Sequence, residues 1–289
     1  MLNARSKMDA DVEFETQALG GKDLAYLAPL SLQEAEDMKA AHPEFQFFAG
    51  GTILNWRAAP RAKGLIDLKN LALDEIDVTP ESLAIGAMVT IQELTEYPGI
   101  PKAVSSAAGL FSSRNVRNMA TVGGTAAGRF FVSDLLPVFL AYRADVKYFL
   151  GKKMSTLPLS QWLQARSGIL CSIVIRQLDR NVAFRQEKIS KIDFPLIVTA
   201  VGWKKAGTQI KEAVVAISGA SGKMALSESG AACLEGKDVS VIESSMVNAA
   251  VQQDLQPTES IKASSRVKRR IVESQLKGII AELQKEGAL

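Results

Sequence analysis

A chain of 289 residues, 47% hydrophobic and 22% charged, has the make-up of an ordinary soluble globular protein of two or three domains. Its formal net charge of +3 is too small to argue for nucleic acid without a concentrated basic patch. Its two cysteines, Cys171 and Cys233, exclude a four-cysteine iron–sulfur cluster on this chain, offer no zinc spacing, and read as free thiols of a reducing compartment.

The first residues, "MLNARSKMDADVEFETQALGGKD", are polar and lack the apolar stretch of a secretory signal, so residues 1–24 read as a loosely ordered leader. No apolar run approaches the roughly 18 residues that span a bilayer, and a cytoplasmic protein is expected. "SLQEAEDMKAAH" (31–42) predicts a helix, with Ser31 as cap, Glu34 completing a capping box and Pro43 as the stop. "FQFF" is then a short strand that runs straight into a glycine pair. "GLIDLKNL" (64–71) and "SLAIGAMVT" (82–90) are strand-like, and "TIQELTEY" (90–97) is helical, with Thr90 and Glu93 as its box. Residues 101–119 read as one helical stretch, followed by a second glycine pair, a short helix around 133–142 and the strand "ADVKYFL".

Beyond about residue 180 the texture changes. "VAFRQEKIS", "LIVTAVGWKK" and "IKEAVVAISGAS" alternate or run apolar between turn residues, which predicts an antiparallel sheet. Two helices end the chain; in the second, Val267, Ile271, Leu276, Ile279, Ile280 and Leu283 fall roughly on one face. The expected division is 25–180 and 181–289, and the lack of regular βαβ alternation makes the fold class α+β.

Two motifs carry chemistry. In "AGGT" (Ala49–Thr52) the backbone N–H groups of a tight glycine turn can converge on an anion, with Thr52 adding a hydroxyl. Alone it reads as a plain turn. "TVGGTAAG" (Thr121–Gly128) repeats the grammar about 70 residues later, and two such loops closing from different strands suit a pyrophosphate. Neither is a GxGxxG or a Walker loop. "SGASGKM" (218–224) imitates the latter but has Met224 where Ser or Thr would bind magnesium, and it reads as a hairpin turn. Asp134 could accept hydrogen bonds from ribose hydroxyls; alternatively Ser133 or Asp134 caps the next helix. His42, the only histidine, sits at a helix end as a solvated cation, so a catalytic triad or histidine metal site is not expected and redox chemistry must come from a cofactor. "RVKRRIVESQLK" is basic but lacks interleaved aromatics, so it reads as a solvated helix face.

"YLAPLSLQEAEDMKAAHPEFQFFAGGTIL", followed by "VRNMATVGGTAA" and "SDLLPVFLAYRADV", resembles the FAD-binding subunit or middle domain of the molybdenum hydroxylases, a group that includes xanthine dehydrogenase and carbon monoxide dehydrogenase. The similarity covers about residues 25–285, including "AFRQEKISKIDFPLIVTAVGW" and "SSRVKRRIVESQL". It implies a PCMH-type FAD fold of two α/β subdomains, about 25–80 and 81–180, with a C-terminal α+β domain at 181–289. It also implies a hetero-oligomer: a molybdopterin large subunit oxidises substrate, a small subunit carries [2Fe–2S] clusters, and FAD here passes electrons to NAD⁺ or another acceptor. By the same resemblance Phe47, Phe48, Ala49, Gly50, Gly51, Thr52, Ile53 and Leu54 would wrap the FAD pyrophosphate, and Thr121, Val122, Gly123, Gly124 and Thr125 would form a second phosphate loop. Phe111 would pack near the cofactor, Asp134 would be its acidic contact and Lys188 would lie near the flavin; no catalytic residue and no metal site is implied on this chain.

The sequence departs from the family pattern at Thr125, where Asn is usual, and in "GRFFV" (128–132), which is bulky and charged. Two other readings therefore stand beside the electron-transfer subunit. One is a stand-alone flavin oxidoreductase of the same superfamily. The other is a degenerate, non-enzymatic scaffold with Arg129 and Phe130 blocking the site.

Overall fold

The computed structural model describes residues 24–54, 62–128, 130, 132–221 and 224–287; residues 1–23 of the expected leader lie outside them. Strand β1 (Ala25–Leu27) leads to helix α1 (Leu32–Ala41), strand β2 (Gln46–Phe48) and strand β3 (Gly64–Asp67). The strands form a parallel sheet in the order β1–β3–β2. Ser31 caps α1 by accepting a hydrogen bond from the Glu34 N–H at 3.1 Å. Glu34 reaches past Ser31 to accept from the Leu30 N–H at 2.7 Å, so the box closes one residue early. At the other end the His42 N–H donates to the Met38 carbonyl at 2.9 Å, and the half-exposed ring stacks on Phe45 at 4.5 Å between centroids.

A second sheet follows. Strands β4 (Ile76–Val78) and β5 (Leu83–Gly86) precede helices α2 (Glu93–Glu96), α3 (Lys102–Gly109), α4 (Arg114–Arg117), α5 (Val122–Ala127) and α6 (Leu136–Ala141). Strands β6 (Asp145–Leu150) and β7 (Lys153–Pro158), helix α7 (Leu159–Ala165) and strand β8 (Ile169–Ile175) complete it. The order is β4–β5–β8–β6–β7, antiparallel throughout. The single helical stretch expected over 101–119 is two helices. The chain breaks between them with Ser112 at φ 39°, and Ser113 caps the new helix through the Val116 N–H. Arg117 donates to the carbonyls of Gly109, Phe111 and Ser112, which the break leaves without a helical partner.

Strands β9 (Asn181–Glu187), β10 (Ile197–Ala206), β11 (Gln209–Ser218) and β12 (Ala225–Leu226) form the expected antiparallel sheet, in the order β12–β11–β10–β9. Gly219, at φ 89°, begins the hairpin that "SGASGKM" was expected to make; Gly222 and Lys223 lie outside the described residues. Helices α8 (Glu228–Leu234), α9 (Ser244–Asp254) and α10 (Ser265–Gly287) complete the chain, with α10 packed on β9 and β10. The α10 stripe differs from expectation at its start: Val267 is exposed and Lys268 is buried. The phase explains it. Residue 268 stands about 40° around the helix from buried Val272, whereas residue 267 stands about 140° away. Lys268 remains satisfied by donating to the Thr258 carbonyl at 2.8 Å.

All six residues of α6 are buried; it packs on β10 and β11 and shares one core with residues of β5, β6 and β8. Gly202 lets the strand approach: a Cβ there would stand 2.1 Å from the Ala141 carbonyl oxygen. Arg180, fully buried, donates to the carbonyls of Ala141, Gly202 and Glu212, and so joins α6 to β10 and β11. Both cysteines are free thiols. Burial pushes the Cys171 thiol up to about 11, so at pH 8 it is neutral as well as inaccessible. Iodoacetamide is therefore expected to label Cys171 only after denaturation. Peptide mass spectrometry of native and unfolded samples checks this, and rapid native labelling of Cys171 would contradict the packing.

Candidate functional site

The two glycine turns meet. A Cβ on Gly50 would stand 1.6 Å from the Met119 carbonyl oxygen and 2.6 Å from its carbon, so the first turn lies directly against the approach to the second. Gly51 takes φ 65°, with the Phe48 ring folded over it so that a Cβ would come within 2.7 Å. One glycine is thus required by a neighbouring backbone, the other by its own conformation.

The turns use their amides differently. Thr121 is the N-cap of α5, its Oγ1 accepting from the Gly124 N–H at 3.0 Å. The Val122, Gly123 and Thr125 N–H groups donate to the carbonyls of Val89, Ala87 and Thr121 at 2.9, 2.7 and 3.0 Å. The inward-pointing amides expected of "TVGGT" are therefore taken up by the protein itself. In the first turn, the N–H groups of Gly50, Gly51, Thr52 and Ile53 have no acceptor among the described residues. Unpaired amides at a tight turn are able to bind an anion.

Both turns open on one cavity of about 980 Å³. Of the residues singled out in the sequence, Phe47, Ala49, Gly50, Gly51, Thr52, Ile53, Leu54, Phe111, Thr121, Gly124, Thr125 and Asp134 line it. Phe48, Val122, Gly123 and Lys188 do not. Val122 and Gly123 are buried behind the wall, where a Cβ on Gly123 would stand 2.6 Å from that of Ala87.

Lys188 reaches the site indirectly. Its Nζ lies 2.7 Å from Asp134 Oδ1 and donates to the Leu110 carbonyl at 2.7 Å. Both side chains are buried, at 4% exposure for Asp134 and 7% for Lys188. Burial raises the Asp134 pKa above the usual carboxylate range, and the Lys188 charge offsets that only in part. The following helix has Leu135 at its N-cap; just before it, the Ser133 Oγ accepts from the N–H groups of Leu135 and Leu136 at 3.3 and 3.2 Å.

Phe130 forms part of the wall and stacks against Phe194 with centroids 5.7 Å apart. The cavity persists with Phe130 in place; Arg129 and Phe131 lie outside the described residues. Trp162, Arg166 and the Ile192–Phe194 segment also line the cavity and were not singled out. They carry no motif, because they arrive from a helix end and a loop that only the packing of the sheets brings to the turns.

Residues 18–175 match the family described as the FAD binding domain in molybdopterin dehydrogenase. The chain belongs to this family. It is 31% identical over 265 residues to the uncharacterised protein YgfM of Escherichia coli (strain K12), covering 91% of this chain and 97% of YgfM. The nicotine 6-hydroxylase medium subunit of Paenarthrobacter nicotinovorans is 22% identical over 280 residues, covering 90% and 96% of the two chains. Among solved structures, reconstituted CO dehydrogenase from Oligotropha carboxidovorans superposes with a TM-score of 0.84 at 17% identity, covering 93% of this chain and 99% of that one. Quinoline 2-oxidoreductase from Pseudomonas putida 86 gives 0.81 at 21%, covering 92% and 98%. The fold is thus shared with these two oxidoreductases. The residues present fit FAD: unclaimed amide donors at the first turn, two glycine-lined walls, and a cavity of about 980 Å³ with aromatic sides.

Proposed function

We propose that this chain is the FAD-carrying electron-transfer subunit of a molybdopterin-dependent hydroxylase or dehydrogenase. Electrons from a molybdopterin large subunit would cross [2Fe–2S] clusters on a small subunit and leave through this chain to NAD⁺ or another acceptor. The observation that carries the reading is the convergence of both glycine turns on one cavity, in a chain of this family. Bound FAD supplies the redox chemistry.

The chain's own part is binding and positioning. The Gly50–Ile53 amides would hold the pyrophosphate, with Phe47, Phe48, Ala49 and Leu54 shaping the turn. Thr121, Gly124 and Thr125 would face it from the other side, with Val122 and Gly123 anchoring that loop from behind. Phe111 would pack on the cofactor. Asp134 would accept its hydrogen bonds, with Lys188 paired to it at 2.7 Å. We divide the chain near residue 180, which is supported by β9 starting a new sheet at Asn181. We infer a cytoplasmic protein; no described helix is long and apolar enough to cross a membrane.

The open cavity favours this reading over a scaffold with a filled site. Purified protein is expected to show flavin absorption near-stoichiometric with chain and to release FAD on denaturation. A colourless protein that takes up no added FAD would sink the reading. Co-purification with a cysteine-rich chain and a molybdopterin chain tests the partners, and a flavoprotein that never associates with either would leave a stand-alone enzyme.

A further inference from the structure

A second groove, of about 1170 Å³, runs between α3 and β9. At one end two distant segments are fastened together. The Ser112 hydroxyl donates to the Ile192 carbonyl at 3.1 Å, and Lys188 Nζ holds the Leu110 carbonyl at 2.7 Å. Leu110, Ile189 and Ile192 all line the groove there, yet they are 47%, 63% and 62% exposed. Large apolar side chains left open to water together, with a polar rim, mark an interaction site. Ser112 and Ile192 also line the glycine-turn cavity, so they stand between the two spaces. The groove is basic. Arg180, Arg185 and Lys188 in its lining are paired with Glu212, Glu282 and Asp134. Lys102 and Lys191, both exposed, have no carboxylate partner among the described residues. Arg117 is held by Gln92 and by backbone carbonyls alone, so its charge also stands uncompensated.

We propose that this patch is the docking site of an acidic one-electron carrier protein, the acceptor of the electrons that leave this chain; the inference rests on the FAD reading above. An apolar centre with a charged rim is the make-up of a protein interface, and a rim of one sign selects a partner of the other. Lys102, Arg117 and Lys191 supply that sign. The wall shared with the cavity would bring the carrier close to the cofactor. Two carrier molecules in turn would each take one electron from fully reduced FAD (FADH2), whose two protons pass to water.

The test titrates the full chain, with and without FAD, with acidic cytochrome b5 and with basic cytochrome c as the control of opposite charge. Calorimetry reads binding, and stopped-flow absorbance reads haem reduction by the reduced flavoprotein. Cytochrome b5 is expected to bind about tenfold or more tightly than cytochrome c, and less tightly as salt rises. Lys102→Glu combined with Lys191→Glu should weaken cytochrome b5 about tenfold or more and remove most of the salt dependence, with thermal unfolding and FAD content unchanged. Ile189→Ser combined with Ile192→Ser should weaken it with the salt dependence kept. Equal binding of the two cytochromes overturns the inference, and so does cytochrome b5 binding that the lysine variant does not alter. NAD⁺ binding lost in the lysine variant, with no cytochrome b5 binding to wild type, also overturns it and makes the groove a nucleotide site. Wild type that binds cytochrome b5 but takes up no FAD overturns the FAD reading and leaves the docking surface standing.

Discussion

Gly50→Ala is expected to abolish FAD binding and to destabilise the fold by about 3 kcal/mol, the upper end of overpacking penalties. The cause is geometric. A methyl group 1.6 Å from the Met119 carbonyl oxygen cannot be accommodated by a rotamer change, because the obstacle is backbone. The first turn must retreat from the second, and the cavity between them loses its shape. Gly123→Ala provides the control. Its methyl would meet Ala87 2.6 Å away behind the wall, so stability falls while the cavity-facing atoms stay the same. Gly124→Ala is the converse: its nearest obstacle is the Thr121 hydroxyl at 2.9 Å, and the residue lines the cavity. Fluorescence titration with FAD, paired with thermal unfolding, separates the three. Gly50→Ala with wild-type stability and wild-type affinity would show that the turns do not meet as described.

Lys188→Met is expected to cost about 3–5 kcal/mol at neutral pH, because it leaves the Asp134 carboxylate buried without its partner. The pH dependence follows from the sign of the shift. The Asp134 pKa is raised in the folded chain, so its contribution to stability is fully present below the ordinary value of 3.8 and is lost as pH rises through the raised value. Removing Lys188 removes the charge that pulls the carboxyl back down, and the loss extends further toward neutral pH. The deficit of Lys188→Met against wild type should be small near pH 4 and largest at about pH 7.5. Adding Asp134→Asn to Lys188→Met should recover much of the neutral-pH loss, since no buried charge is left. Urea denaturation at both pH values checks this; a deficit that is flat with pH would rule out the buried carboxylate as its source.

Two helix caps, part of the strands and both glycine pairs were legible because each rests on a local signal; β1, β4, β7 and the central strand β8 were not picked out. Ser31 and Thr90 bond to amides three residues away, and β10 and β11 are joined by a short turn. Misreadings occurred where a local pattern had two solutions. The 101–119 stretch has helical composition throughout, yet Arg117 folds back on the carbonyls of a break at Ser112. In α10 a one-residue choice of phase decided whether Val267 or Lys268 faced the core, and a carbonyl at Thr258 settled it for the lysine.

What the sequence determined by itself was the set of glycine turns, the α+β class and the kinship with FAD-binding subunits, all carried by short-range grammar. Only the tertiary structure decided which turn's amides bond within the protein. The N–H groups of Val122 and Gly123 find their acceptors on Val89 and Ala87, more than 30 residues earlier in the chain. It likewise decided that Lys188 neutralises Asp134 and that Arg166 stands in the wall. The physical reason is the same in each case. A hydrogen bond or ion pair depends on distance in space, and strands and loops far apart in sequence become neighbours only when the sheets pack.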